Sequence, residues 1–428
     1  MIREALFAIA RDIIMFFVVI TLAKNYFFLI LSPFYSVREK LRFVKHARER
    51  QLEDLPPYRP QVSVIIPAWN EGMGVVKTVD SVLSNGYANV QVVLVNDGST
   101  DNSDELVKEY IKQLKAKGDG SAAKLHYIYK ENGGKGKALN TGIEAATGDI
   151  ILTVDADSAL KKGAIRNLTK YFLDPEIMAV VGNVEVVNSH TLVGMAQELE
   201  YFFGFYNKRA HALLGAEYIF GGACAAFRKQ VFEQIGLFDT ENKTEDIEMS
   251  MRTKYHGMKS TYAEDVVCYT EGASDVKGLI AQRVRWKKGR LDTFKKYRSM
   301  FFSTEDHHNA FLSFFVLPFS MLTEINLFFE PIALAIMVAY VIITAEYLSL
   351  ALGVGYILLV FVAIPIFHSR PRPHYFLFFP FWPLFYFLDW IEFISIYKSL
   401  LMIRRGQDVE WQRWNRQGIH NYVGGKQA

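Results

Sequence analysis

Hydrophobic and polar positions divide the 428-residue chain into two apolar ends and a middle of short, alternating segments. From Asp12 to about Pro33 nearly every position is apolar, Lys24 and Asn25 being the interruptions, and the run is long enough to cross a bilayer as one helix. A cleaved signal peptide fits less well, because the apolar part exceeds the usual core length and no small-residue cleavage site follows. Directly behind stand Arg38, Lys40, Arg42, Lys45, Arg48 and Arg50, which the positive-inside rule places in the cytoplasm. A proline-marked linker, Leu55 to Pro60, then leads into the middle.

There the pattern switches to short β-branched runs and amphipathic stretches. It predicts strands at Val62 to Ile66, Val90 to Val95, Leu125 to Tyr129 and Ile150 to Val154, separated by helices at Glu71 to Leu83, Ser103 to Lys117 and Lys137 to Ala146. Such β-α repetition implies an α/β fold with a mostly parallel sheet and helices on both faces. Ligands bind at the carboxyl ends of such strands. The loops there carry Pro67, Asn70 and Glu71, then Asn96 to Asp101, then Asn132-Gly-Gly-Lys135-Gly-Lys137, and finally Asp155-Ala-Asp157.

Composition changes this picture little. Half of the residues are hydrophobic and 14% aromatic, which fits membrane segments around a globular middle. Two cysteines, Cys224 and Cys268, are too few for a disulfide framework or a zinc cluster, so a reducing compartment is the default. The net charge of +3 gives no reason to expect a nucleic-acid partner. Gly136-Lys137 lacks the spacing of a phosphate-binding P-loop and no G-x-G-x-x-G follows a strand, which argues against an ATPase or a dehydrogenase.

What the loops offer suits a nucleoside diphosphate: Asn and Asp for base and ribose, glycines for close backbone approach, lysines for phosphate charge. Two carboxylates one residue apart, Asp155 and Asp157, suit a hard divalent cation whose other positions go to water and phosphate oxygens. Further on, Tyr218 to Arg228 places Gly221 and Gly222 after an aromatic pair, either a simple turn or a backbone open to a sugar. Thr244-Glu245-Asp246 opens a helix that stops near Gly257. Its acids either complement the helix dipole or supply a proton acceptor. Gln282, Arg285 and Trp286 share one helical face, where an arginine can clamp a diphosphate and an indole can pack on a sugar ring; Lys287, Lys288 and Arg290 alone would support a basic helix at a membrane surface instead.

The segments VSVIIPAWNE, VVLVNDGSTD, GGKGKALNTG and VDADS resemble the nucleotide-binding half of the family-two glycosyltransferases, whose catalytic domain has the GT-A fold, and the likeness covers residues 62 to about 290. It implies that Asp97 contacts the base, that Lys135 or Lys137 lies near the diphosphate, and that Asp155 and Asp157 carry the nucleotide and its Mg2+ or Mn2+. Many relatives have two acids before the glycine of the second loop, where this chain has Asn96-Asp97. The T-E-D likeness assigns the general base to Asp246 with Glu245 beside it. Gln282-Arg-Val-Arg285-Trp286 resembles the Q-x-x-R-W signature of processive members, the synthases of cellulose, chitin oligomers, hyaluronan and poly-N-acetylglucosamine.

After Asn309 the pattern returns to apolar. Phe311 to Thr323 reads as an interfacial helix or part of a span, Asn326 to Thr344 and Leu348 to Phe367 as spans, and Tyr375 to Ile403 as a long tract broken by Pro380 and Pro383. His368 to His374 is a short basic loop expected in the cytoplasm. Three downstream spans would leave the basic tail outside, against the same charge rule, so either the first segment also crosses or the last tract dips in and returns. Glu324, Asn326, Glu330, Asp389 and Glu392 are expected to line a protein-enclosed polar path.

The expected organisation is therefore a transmembrane helix within 1–36, a basic juxtamembrane segment and linker at 37–60, a cytoplasmic GT-A domain at 61–300, membrane or interfacial helices at 301–403 and a tail at 404–428. The expected activity is metal-dependent, inverting, processive transfer from a UDP-sugar onto a growing β-linked polysaccharide, built of N-acetylglucosamine, at the cell membrane among lipids and with partner subunits open. The T-E-D form and short chain favour the poly-N-acetylglucosamine or chitin-oligomer type over hyaluronan or cellulose synthases. Two other readings stand beside it: single-sugar transfer to a lipid carrier, and a non-catalytic, nucleotide-binding subunit of a membrane assembly.

Overall fold

The computed structural model describes residues 2–330, 348–368 and 373–409, with scattered positions between 331 and 347. It begins with one helix, α1, that runs from Ile2 to Leu52 with Pro33 inside it. At a rise of about 1.5 Å per residue, its 51 residues extend roughly 75 Å. The segment after Pro33 was expected as a juxtamembrane stretch leading into a linker, and the structure corrects that to a continuation of the helix. The physical reason is local: from Arg38 to Leu52 the residues are mostly good helix formers, and the chain turns only at Asp54, in left-handed conformation at φ 52°.

Nor are the basic residues there simply loose charges. Arg38 donates through Nη1 to the Leu213 carbonyl at 2.6 Å, and Arg42 pairs with buried Glu39 at 2.5 Å. Ser32 donates to the Tyr206 carbonyl, Tyr206 returns a bond to the Leu29 carbonyl, and the fully buried Tyr35 bonds to Thr261 and Tyr262. The second half of α1 is thus a structural member of the domain that follows.

That domain runs β1 (Val62–Ala68), α2 (Met73–Leu83), β2 (Val90–Asp97), α3 (Ser103–Lys117), the short α4 (Ser121–Lys124), β3 (Leu125–Lys130), α5 (Lys135–Glu144) and β4 (Ile150–Thr153). It continues with β5 (Ser158–Leu160), α6 (Ala164–Tyr171), β6 (Ile177–Val186), α7 (Leu192–Leu213), β7 (Ala225–Arg228), α8 (Lys229–Ile235), α9 (Glu245–Tyr255), β8 (Lys259–Thr270) and α10 (Val276–Lys296). The sheet order is β3-β2-β1-β4-β7-β6-β8-β5. β3, β2, β1 and β4 are mutually parallel; β7 runs against β4 and β6, and β5 against β8, while β6 and β8 are parallel. The mostly parallel sheet expected from the sequence is therefore present with two reversed strands. β1 is buried at all seven positions, which requires cover on both faces. The short strands that complete the sheet, four residues in β7 and three in β5, carry too little periodicity to stand out in sequence.

Beyond α10 come a π-helical turn (Leu312–Val316), α11 (Leu317–Asn326), α12 (Leu348–Phe367), a 3-10 segment (Pro373–Phe381) and α13 (Pro383–Arg404). Among the described residues, no single helix is long and apolar enough to cross a membrane; the 3-10 segment and α13, bent by 63° at the proline break, meet that length and composition only as a pair. Leu312–Asn326 and Val354–Phe367 are shorter apolar stretches. Part of the span expected at Asn326 to Thr344, the centre of the basic loop at 369–372 and the tail beyond Val409 lie outside the described residues. α13 packs along α10, which brings the C-terminal helices against the domain at the point where its last helix begins to matter for the site.

Candidate active site

The carboxyl ends of β1 and β2 are joined by side chains in the loops that follow them. Asn70 sits in left-handed conformation at φ 57°, and its Oδ1 accepts from the backbone N–H groups of Thr100 at 2.6 Å and Asp101 at 3.1 Å. Ser103 Oγ accepts from the N–H groups of Glu71 and Gly72, and Pro67 lies buried at the end of β1. The loops after β1 and β2 therefore form one rigid rim.

Asp97 is turned into this rim. Its carboxylate, in a residue 3% exposed, accepts from Lys130 Nζ at 2.6 Å and from the N–H groups of Gly133 and Gly134 at 3.0 and 2.7 Å. In this structure it shapes the glycine loop that delivers Lys135 at the start of α5.

Lys135 is the centre of the site. Its ammonium lies 2.7 Å from Asp155 Oδ1, just beyond β4, and 3.2 Å from Glu245 Oε1, the first residue of α9. Gly222 faces the same point: a Cβ placed there would fall 2.9 Å from Lys135 Nζ, 3.3 Å from Asp246 Oδ2 and 3.8 Å from Asp155 Oδ1. Asp246 is half-buried and, with Glu245, Gly221, Gly222, Thr153 and Phe220, lines a small cavity. Lys137, by contrast, is exposed, on the turn of α5 after Lys135. Asp157 lies two residues past Asp155, half-buried, with Oδ1 accepting from Ser158 Oγ at 3.2 Å.

Charge within this cluster is unevenly held. Burial pushes the Glu245 carboxyl up, the neighbouring Asp246 adds to the rise, and Lys135 and Arg285 oppose it. Burial would lower Lys135, but Asp155, Glu245 and Asp246 outweigh it and hold the ammonium above its ordinary value. Lys135 is therefore a fixed cation among three carboxylates. Asp155 and Asp157 supply oxygen donors of the kind that a hard divalent ion takes, and Asp155 is reached by solvent over 29% of its side chain. Among the described residues no group of three His, Cys, Asp or Glu is arranged to hold a metal ion, so Asp155 and Asp157 would need oxygen donors from a ligand to complete such a site. On that donor chemistry the residues fit a cation that arrives with a diphosphate.

The third part is α10, capped by Asp275, whose Oδ1 accepts from Gly278 N–H at 2.7 Å. Gln282 is buried to 8% exposure and its side-chain carbonyl has no hydrogen-bond partner among the described residues. Arg285 is half-buried and donates to the Lys243 carbonyl at 3.4 Å, in a cleft shared with Lys288, Asp292 and Asp408. Half-buried Trp286 carries the Arg283 guanidinium over its ring at 4.5 Å. Sequence reasoning missed Arg283, although its place inside the pentapeptide was the available signal.

The alternative of a basic, membrane-surface helix is corrected in part. Lys287 pairs with Glu324 of α11 and Glu392 of α13 at 2.7 and 2.8 Å, Arg290 with Glu324 at 2.8 Å, and Arg283 with Glu200 of α7 and Glu392 at 2.5 and 3.3 Å. These cations point inward because carboxylates on three other helices, Glu324 buried and Glu200 and Glu392 half-buried, stand opposite them. By the same contacts, Glu324 and Glu392 are tied to α10.

Comparison with known proteins agrees with this geometry. Residues 60–289 match the family described as glycosyltransferase like family 2. The poly-beta-1,6-N-acetyl-D-glucosamine synthase of Staphylococcus aureus strain COL is 32% identical over 231 residues, 53% of this chain and 54% of that protein. Its counterpart from Staphylococcus epidermidis is 31% identical over 268 residues, 62% and 60% of the two chains. The chain thus spans somewhat more than half the length of these curated relatives. Among solved structures, a mannosyltransferase from Pyrobaculum calidifontis in complex with GDP-Man and Mn2+ superposes with a TM-score of 0.54 at 22% identity, covering 88% of this chain and 98% of that one. At that identity the likeness is one of fold, and the fold is GT-A.

Lys135→Met tests the central cation. Leaving Asp155, Glu245 and Asp246 to face one another should cost on the order of 3 kcal/mol. The sign of its pH dependence follows from Glu245, whose raised carboxyl holds a proton in the folded chain that the unfolded chain has released, so stability falls as pH rises above the ordinary glutamate value. The melting temperature of the variant should therefore fall further below wild type at pH 8 than at pH 5, and an equal deficit at both would remove Lys135 from this role.

Proposed function

The chain belongs to the glycosyltransferase like family 2 and is a glycosyltransferase, and from that premise we propose that it lengthens a β-linked, N-acetylglucosamine-containing polysaccharide from a UDP-sugar, processively and with inversion. The observation that carries the reading is the meeting of Lys135, Asp155, Glu245 and Asp246 around Gly222. The likeness to poly-beta-1,6-N-acetyl-D-glucosamine synthases supports the choice of sugar.

In this reading the rim formed by Pro67, Asn70 and Glu71, with Asp97 behind it, receives the nucleoside, and Lys135 and Arg285 neutralise its diphosphate. Lys137, exposed, is left a lesser part at the entrance. Asp155 and Asp157 would hold Mg2+ or Mn2+, which would supply further positive charge where the diphosphate departs. Gly221 and Gly222 leave room for the sugar, since a side chain at 222 would collide with the lysine. Asp246 takes the proton of the acceptor hydroxyl, the freed oxygen bonds to the anomeric carbon from the face opposite the diphosphate, and the carbon–oxygen bond to UDP breaks, so that UDP leaves with the electron pair. Glu245, buried and paired, holds Lys135 in place. Gln282 has an acceptor for a sugar hydroxyl that no described residue fills, and the face of Trp286 opposite Arg283 is assigned to pack on the acceptor sugar.

The proposed division is an N-terminal helix, a catalytic domain over 61–300 on the cytoplasmic side, and membrane helices over 301–403 past which the polymer leaves. Exposed apolar residues on the flanking helices support a lipid setting: Phe16, Ile30 and Phe34 on α1, Phe315 before α11, and Trp390 and Ile403 on α13.

Three measurements test this. Asp246→Asn should retain UDP binding and lose turnover by a factor on the order of 10² or more; unchanged turnover would move the base elsewhere. Chelator or Asp157→Asn should abolish UDP release from UDP-N-acetylglucosamine without lowering the melting temperature, and full activity in excess chelator would dispose of the metal. Trp286→Ala should shorten the product while UDP binding persists, because stacking of this kind contributes about 1 kcal/mol to holding the acceptor; product of unaltered length would favour single-sugar transfer.

A further inference from the structure

We propose that Gly289, one turn beyond Arg285 on the same face of α10, is a positioning residue that sets how closely α10 approaches the first turn of α9, and with it the separation of Asp246 from Arg285. The inference rests on the roles given above to those two side chains.

From Arg285 onward, one face of α10 meets the segment from Asn242 to Glu248. Arg285 donates to the Lys243 carbonyl; two turns further, Thr293 Oγ1 accepts from Asn242 Nδ2 at 3.2 Å; at the end, Lys296 Nζ and Tyr297 OH donate to Glu248 Oε1 at 2.7 and 2.6 Å. These positions recur at helical spacing, and Gly289 is the one between 285 and 293. There the two segments are in close contact. A Cβ on Gly289 would fall 1.9 Å from Thr244 Oγ1, 2.5 Å from its Cγ2 and 2.7 Å from its Cβ.

Thr244 has little freedom to yield. It is fully buried and β-branched, its hydroxyl donates to Asn242 Oδ1 at 3.0 Å, and its backbone N–H donates to the same oxygen at 2.9 Å. Real carbon contacts need more than 3 Å, so a methyl at 289 has to push the two elements apart by roughly 1 Å. Asp246 is two residues beyond Thr244 and Arg285 one turn before Gly289, so both move with the contact. Glycine within a helix is less favourable than alanine. Helix propensity alone therefore predicts that Gly289→Ala helps the protein, and close approach predicts the reverse.

The experiment uses the full chain purified in detergent, as wild type, Gly289→Ala, Thr244→Gly and the double variant, measuring UDP release, UDP affinity, the pH profile of turnover and the melting temperature. Gly289→Ala should lose at least about tenfold in kcat, bind UDP within about threefold of wild type and show a displaced acid limb in its pH profile, because the base has moved relative to the donor. Thr244→Gly removes all three colliding atoms, so the double variant should return to within about threefold of Thr244→Gly alone, a coupling that a double-mutant cycle isolates. Wild-type turnover by Gly289→Ala overturns the proposal. So does a loss that Thr244→Gly does not relieve, and so does a double variant that still fails to fold, since the glycine then serves the fold rather than the spacing. A wild-type chain that releases no UDP from any UDP-sugar removes the functional reading first and the positioning role with it.

Discussion

The ammonium of Lys135, 2.7 Å from Asp155 and 3.2 Å from Glu245, is the interaction on which the rest of this structure depends. It joins the two halves of the sheet. Lys135 and Asp155 come from the parallel β-α half, and Glu245 from the α9 segment that precedes β8. Without a cation between them, two carboxylates from separate parts of the chain would be pressed together in a water-poor pocket. With it, the same closeness becomes a preorganised place for phosphate charge, in which Asp246 stays at the open side.

Much of the first half was legible because its strands carry their own signal. β1, β2 and β4 are β-branched runs bounded by Asn, Asp and Gly, and α3 begins at Ser103 and ends at Lys117 where periodicity and the following Gly118 predict. The second half was not. β5 and β7 are three and four residues long, and their place in the sheet is fixed by pairing with β8 and with β4 and β6 across long stretches of chain. No local pattern announces such pairings.

The site shows the same division. Loops at strand ends pointed to Lys135 and Asp155, and the T-E-D likeness at a helix start to Glu245 and Asp246; the structure brings these four to one point. Direction of side chains was beyond reach. Asp97 turns toward Gly133 and Gly134, Lys137 faces out, and the cations of α10 face in toward Glu200, Glu324 and Glu392. Each outcome is set by partners far away in sequence. A run such as Arg283 to Arg290 reads as surface until the carboxylates opposite it are known.

The unbroken helix α1 has a consequence of a different kind. A helix is a screw with a fixed pitch, and from Leu29 to Arg42 this one is bolted to the catalytic domain by Tyr35, Arg38 and the bonds exchanged with Tyr206. Whatever the stretch before Leu29 engages is thereby indexed to the site in both height and rotation. Inserting a single residue just before Leu29 would lift that stretch by about 1.5 Å and swing it by about 100° around the axis, so its bearing on the domain is a matter of phase as well as length.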